Sequence, residues 1–349
     1  MVMHKSDLVA SINGAANSGR PTLTHLNADT TWLLQLPYTN KDARPRGRSS
    51  FNILIDPWLR GRQSDLAFWF SSQWHVIRSS VETLDQLNEI LRICETHNSE
   101  DDTVGYSNFI DAVVVSHEFT DHCHKATLLE LDPAVPVFAT RKAADLIRSW
   151  RHFDQVIEPR PFSSENADWR KSSHESLPSW VGISRMITQN DALYYHSAIM
   201  IAFCLEQQLS AQINAGEQAT EAVIYTPHGI HASDLACLKL ARPSLSTLAL
   251  MHGLHDVRVS TKQLNLGAHN GLQAQRICHA RYWVSTHDEV KKARGFISPI
   301  LFRKKWTLKH ALEEEKKRSS GDRLQRSVLS TMEHVHFSEL QSGQSIVLQ

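Results

Sequence analysis

Asp111-Ala112-Val113-Val114-Val115-Ser116-His117-Glu118-Phe119-Thr120-Asp121-His122 runs from an unbroken apolar stretch straight into a cluster of ionisable side chains. A short valine-rich run bounded by polar residues reads as a buried strand, and Thr120 or Asp121 can serve as N-cap for a helix over residues 123–131. The cluster therefore sits on a strand-to-helix turn, at the carboxyl edge where open α/β sheets bind ligands. His117, Asp121 and His122 project from that one corner, and imidazole with carboxylate suits zinc, iron or manganese. On these residues alone a second reading stays open, in which Asp121 only caps the helix and the histidines are solvated or hydrogen-bonded.

Outward from this corner, strands and helices alternate. Strands are expected over residues 23–36, 51–55, 135–138 and near Val156, with an amphipathic helix over 81–94 (Val81, Leu84, Leu87, Ile90, Leu91) and another over 142–150. Three consecutive strands follow, over 181–187, 194–205 and 222–225, with a polar excursion at 206–221. Alternation then resumes: helices over 233–240 and 272–279, strands over 245–251 and 282–285, a charged surface helix over 308–318, and an edge strand over 345–348. The pattern predicts a layered α/β fold. Residues 1–20 are expected as a flexible leader, 21–302 as the main domain, and 303–349 as a charged helix, a flexible segment and the edge strand. The basic loop over 40–50, with Lys41, Arg44, Arg46 and Arg48, reads as a solvated hairpin tip.

A chain of 349 residues can bury a sizeable core without disulfides. Lys+Arg and Asp+Glu balance at 37 each, so no overall field attracts nucleic acid or an anionic membrane. The five cysteines are odd in number, widely spaced and without a C-x-x-C pair, which fits a reducing compartment. No secretory signal and no membrane-spanning run is evident, and a cytoplasmic location is expected. Histidine is the outlier at 20 residues, and imidazole is the commonest metal ligand and proton carrier.

Several of those histidines stand at strand ends. His196 precedes the run Ser197 to Phe203, His228 follows Val223-Ile224-Tyr225, His252 follows Leu248-Ala249-Leu250-Met251, and His287 follows Trp283-Val284-Ser285. If the strands are parallel neighbours, their ends share one edge and these rings can meet His117, Asp121 and His122. His255, Asp256, His269 and Asn270 fall in the next loops, which suit the wall of a polar substrate cleft. Trp58, Trp69 and Trp74, with Phe68 and Phe70, read as core or interface, or as an aromatic wall for an apolar ligand.

The stretch His117-Glu118-Phe119-Thr120-Asp121-His122 resembles the H-x-H-x-D-H motif of the metallo-β-lactamase-fold superfamily. Ile55-Asp56-Pro57-Trp58 looks like the early Asp-Pro segment of its intracellular sugar-lactonase-like and phospholipase-like branch, and Thr286-His287-Asp288 matches its last histidine. The resemblance spans roughly residues 22–295 and implies a four-layer αβ/βα sandwich. Two positions depart from the pattern: Phe119 replaces the second motif histidine, and His228 stands where a metal-bridging aspartate is expected. Only His117 and His196 then remain for one metal position. The other keeps Asp121, His122 and His287, with His228 as fourth ligand or hydrogen-bonding neighbour.

The resemblance thus implies one divalent transition metal, zinc by preference with manganese or iron as alternatives. Three protein ligands and an open position lower the pKa of bound water towards ~7. Asp121, His117 and His252 are the expected catalytic groups, with His117, His196 or His252 protonating the leaving group or stabilising an oxyanion. Glu118 should point away from His117, because neighbours at a strand end face opposite sides. The expected function is a metal-dependent hydrolase of a small ester, lactone or related acyl compound. A phosphodiesterase and a non-catalytic metal- or ligand-binding member of the fold are the alternatives. No G-x-S-x-G, P-loop or G-x-G-x-x-G is present to support a serine hydrolase or a nucleotide enzyme.

Overall fold

The computed structural model describes residues 4–16, 18–39, 45–64, 71–98, 107–188, 195–205, 220–295, 298–318 and 335–349. Two seven-stranded sheets dominate it. In the first, the spatial order is Ser345–Val347, Thr22–His25, Trp32–Pro37, Ser50–Ile55, Ala112–Val115, Val137–Ala139 and Val156–Ile157, antiparallel up to Ser50–Ile55 and parallel beyond it. In the second, the order is His336–Ser338, Tyr282–Val284, Leu245–His252, Thr220–Thr226, Ser197–Cys204, Val181–Ile187 and Arg160–Pro161. Its first four strands are mutually parallel, and Ser197–Cys204 runs against both of its neighbours.

The two-residue period of a strand sends alternate side chains to opposite faces, and here both faces are covered. Ala112, Val114, Ile53 and Ile55 of the first sheet meet Ile199, Ile201, Val223 and Tyr225 of the second in one inner core. Val113, Val115 and Leu54 point outward, beneath Leu84, Leu87, Ile90, Leu91 and Cys94 of the helix Leu84–Asn98. Ala198, Met200, Ala202 and Leu250 point outward from the second sheet, beneath the 3-10 segment Ala232–Leu240 and the helix Ala268–Cys278. The result is a four-layer αβ/βα sandwich: the layered α/β alternation that the sequence pattern predicted, in the form that the resemblance implied.

Four local expectations are corrected. Residues 5–16 form a helix that buries Leu8 and Ile12 in the outer core, so the amino-terminal segment is part of the fold and not a loose leader. The single strand expected over 23–36 is two strands, broken by a turn in which Asn27 Oδ1 accepts from the backbone N–H of Asp29 and of Thr31. Arg48 is buried, bonding Asp111 at 2.5 Å, so its loop is anchored and not solvated. On the charged helix Leu308–Arg318, Glu314 and Glu315 bind the two ring nitrogens of His269 at 2.9 and 2.8 Å, so that face is engaged. Trp58 is fully buried, as core. Lys41, Arg44, Phe68, Trp69, Phe70, most of the 206–221 excursion and residues 319–334 lie outside the described residues. No helix among the described residues is long and apolar enough to cross a membrane.

Candidate metal centre

The Ala112–Val115 strand ends in a tight turn, where the N–H groups of His122 and Cys123 both donate to the Phe119 carbonyl. The helix begins only at Lys125, with His124 as its N-cap, accepting from Thr127 N–H. Thr120 and Asp121 are diverted from capping, because Thr120 bonds Gln63 and Asp121 bonds Lys291. His122 therefore sits in the turn, fully buried, with its ring against Asp56.

Asp56 follows the neighbouring parallel strand with φ 44, a left-handed conformation that costs a non-glycine residue about 1 kcal/mol or more. That backbone aims its carboxylate across the sheet edge. Oδ1 accepts from Ser116 N–H at 2.7 Å, and Oδ2 from Ser116 Oγ at 2.5 Å, Tyr225 Oη at 2.8 Å and His122 Nδ1 at 2.7 Å. Burial and the adjacent Asp56 carboxylate push the Tyr225 phenol well above its ordinary range, so it stays a donor.

His228 stands in the turn Thr226-Pro227-His228-Gly229, closed by Gly229 N–H to Thr226 carbonyl. Gly229 has φ 83, and a Cβ there would lie 2.6 Å from Leu266 Cβ, so only glycine fits. His228 Nδ1 donates to Asn265 Oδ1 at 2.9 Å. His287 has φ 60; its N–H donates to the Asp29 carbonyl and its Nδ1 lies 3.1 Å from both Asp29 carboxylate oxygens. The next two residues pin this segment. Asp288 accepts from Leu254 and His255 N–H, and Glu289 from Val76 and Ile77 N–H and His75.

Each of the three imidazoles thus has an oxygen acceptor at Nδ1, which sets the tautomer and leaves Nε2 to face inward. The ring centroids form a near-equilateral triangle, 4.9, 5.0 and 5.0 Å on a side. His122 Nε2 lies 2.9 Å from His228 Nε2 and 3.6 Å from Asp121 Oδ1, and His287 Nε2 lies 3.8 Å from Asp121 Oδ2. Ligand atoms around a tetrahedral zinc stand roughly 3.3 Å apart, given Zn–N of ~2.0–2.1 Å. These three spacings bracket that value, and the donor atoms of Asp121, His122 and His287 all lie within 4.8 Å of one another.

Electrostatics fit the same use. Burial disfavours charge on His122, but Asp121 and Asp56 outweigh it and hold its pKa above the ordinary value. Burial, with His117 and His122 nearby, holds His228 well below, and burial keeps His287 below. The His122 and His228 Nε2 atoms cannot both present lone pairs at 2.9 Å, so without metal His122 donates to His228. A cation can take the place of that proton. Despite burial, Lys291, His122 and His287 hold Asp121 ionised far below the usual carboxylate range.

His117 lies nearby, forming with His122 and His228 a second group whose donor atoms come within 4.8 Å of one another. However, its Nε2 lies 2.9 Å from the Tyr195 carbonyl and its Nδ1 2.9 Å from Ser116 Oγ, so both nitrogens are engaged. His196 and His252 are not brought into the cluster. The strand period explains it: His196 shares parity with Ala198 and Met200, and His252 with Leu250, all on the outer face. His196 packs beside His231, and His252 bonds Gly253 carbonyl and Asn270 against Trp283. Glu118 points away, towards Lys142. Of the expected cleft residues, Asn270 is spent on His252 and His269 on Glu314 and Glu315.

Asp29, Asn265, Lys291, Tyr225 and Ser116 are the site residues that pattern reading passes over. The turn chemistry of Asn27-Ala28-Asp29-Thr30 is a signal for Asp29. Lys291 and Asn265 carry none, being lone polar residues in loops.

No family model and no curated protein sequence matches the chain. Solved structures do. One is described as a possible metal-dependent hydrolase from Veillonella parvula DSM 2008, with 13% identity, a TM-score of 0.53, and coverage of 94% of this chain and 100% of that one. Another is isothiocyanate hydrolase from Delia radicum gut bacteria, with 13% identity, a TM-score of 0.53, and coverage of 94% and 99%. At that identity the likeness is one of architecture, and it extends over nearly the whole of each chain. The four-layer sandwich seen here is the fold of these two structures.

Proposed function

We propose that the protein is a metal-dependent hydrolase with one divalent ion held by Nε2 of His122, His228 and His287 and a single oxygen of Asp121. The observation that carries this reading is the triangle of the His122, His228 and His287 rings, each locked from behind by Asp56, Asn265 or Asp29. A divalent ion bound there would supply a Lewis-acidic pole and, with water as a fifth ligand, an activated nucleophile. Zinc suits this set of three imidazoles and one carboxylate, with iron or manganese as alternatives.

The chain's own groups then have separable tasks. Asp56 and Asp29 fix ring direction, and Asp121 Oδ1, turned towards His122, is the oxygen left for a ligand bond. His117 Nδ1 and Nε2 are both hydrogen-bonded, which makes the ring a wall of the site in this arrangement, between His228 at 4.5 Å and Phe119 at 6.1 Å. Phe119 and Tyr195, in edge contact at 4.8 Å, place aromatic surface beside the triangle.

The substrate class we favour has an electrophilic carbon: a small ester, a lactone or a related acyl compound. The isothiocyanate named for one structure of this fold also presents such a carbon. Phosphodiesters fit less well, because two metals usually clamp phosphoryl transfer and one donor set is complete here. The test is turnover by zinc-loaded protein on lactones, thioesters, isothiocyanates and phosphodiesters, before and after chelation. Hydrolysis should vanish with chelation and in His122→Ala and His287→Ala; hydrolysis that survives all three contradicts the reading.

A further inference from the structure

Behind Asp121, on the side away from His122, the ammonium of Lys291 lies 2.6 Å from Asp29 Oδ2 and 2.8 Å from Asp121 Oδ2. Its side chain is 3% exposed, and the Trp58 ring closes over it with its centroid 5.3 Å from Nζ. A buried ammonium between two carboxylates, beneath an aromatic face, is a cation site filled by the chain itself. It touches the proposed metal ligand directly.

The fixed charges of the connected network can be counted. Asp56, Asp29 and Asp121 are three buried carboxylates joined to the histidine triangle by His122 and His287, and Lys291 is the cation that bonds two of them. Three negative charges against one positive leave two, the charge of one divalent ion. Lys291 also occupies Asp121 Oδ2, leaving Oδ1 for a ligand bond. Buried charges need compensation, and a network short by two charges has room for one divalent cation.

We propose that Lys291 is a built-in cation that limits the centre to one divalent metal and makes Asp121 a ligand through one oxygen. This rests on the metal reading above, and it assigns Lys291 as a positioning and stoichiometry-setting residue. Replacing Lys291 by a neutral side chain raises the deficit to three, one more than a single divalent ion cancels, and frees Asp29 and Asp121 to hold a further cation. Neutralising Asp29 at the same time returns the deficit to two.

The test compares wild type, Lys291→Met and the double variant Asp29→Asn/Lys291→Met, titrating zinc into metal-free protein. Native mass spectrometry reads the number of ions, and thermal unfolding reads the fold. Wild type should take one zinc. Lys291→Met should take two, or fold only while zinc is present. The double variant should fold without zinc and take one. Lys291→Met that folds without zinc and binds one ion at wild-type affinity overturns the proposal, as does a double variant no better than the single one. Wild type without any zinc instead refutes the underlying metal reading, and this inference falls with it.

Discussion

Two sets of histidines stand at strand ends of the two large sheets and do different things. His122, His228 and His287 each find an oxygen acceptor behind Nδ1, and their rings converge. His117, His196 and His252 are just as buried, but the strand period turns two of them outward, and His117 has both nitrogens engaged. Position at a strand end therefore delivers a ring to the neighbourhood. The partner behind the ring decides whether it can serve as a ligand.

The comparison breaks most sharply by truncation. His228→Ala and His287→Ala should lower zinc content to under a tenth of wild type, whereas His252→Asn and His196→Asn should keep it, as read by elemental analysis of purified protein. Loss of zinc in the second pair with the fold intact would erase the distinction.

A milder change removes the support and keeps the ring. Partners that orient metal-bound histidines typically contribute 10–100-fold in affinity. Asp56→Asn should weaken zinc binding by about that range, and Asn265→Ala by roughly tenfold at most, since a neutral acceptor polarises the ring less than a carboxylate. Competition with a chromophoric chelator measures both. Equal affinities in all three proteins would show that ring orientation comes from packing alone.

The smallest effect concerns stability and separates a structural histidine from the site. His25 is buried, stacked on Trp32 with centroids 3.8 Å apart, and bonds the Leu340 carbonyl; burial pushes its pKa down to about 4. A depressed histidine pKa means that the folded state favours the neutral ring. Its contribution is complete above pH 6.5 and is lost as the pH falls to 4 and through it, in total about 3 kcal/mol. Between those pH values wild type should lose more unfolding free energy than His25→Gln. Parallel curves would contradict the assignment.

These contrasts also show what the sequence makes visible. Val113, Val114 and Val115 announce a strand buried on both faces, and Leu84, Leu87, Ile90 and Leu91 a helix above it, because burial leaves a period in the residues themselves. The corner at Asp121 and His122 is legible for the same reason: strand, turn and donors are contiguous. The outward turn of His252 follows from the parity of Leu250, a signal as local as the strand itself.

The partners of Asp29, Asn265 and Lys291 are illegible for the opposite reason, although local turn chemistry marks Asp29 itself. Asp29 meets His287 across 258 positions of chain and Lys291 meets Asp121 across 170, contacts that no period encodes. Reading residues 23–36 as one strand also conceals the turn that delivers Asp29. Polar support for a site is written in tertiary distance.

The most direct test is anomalous diffraction at the zinc edge from crystals of zinc-loaded protein. The account predicts one strong peak per chain, ~2.0–2.2 Å from Nε2 of His122, His228 and His287 and from one Asp121 oxygen. A peak on His117 or His196 instead, or none at the triangle in fully loaded protein, would contradict it.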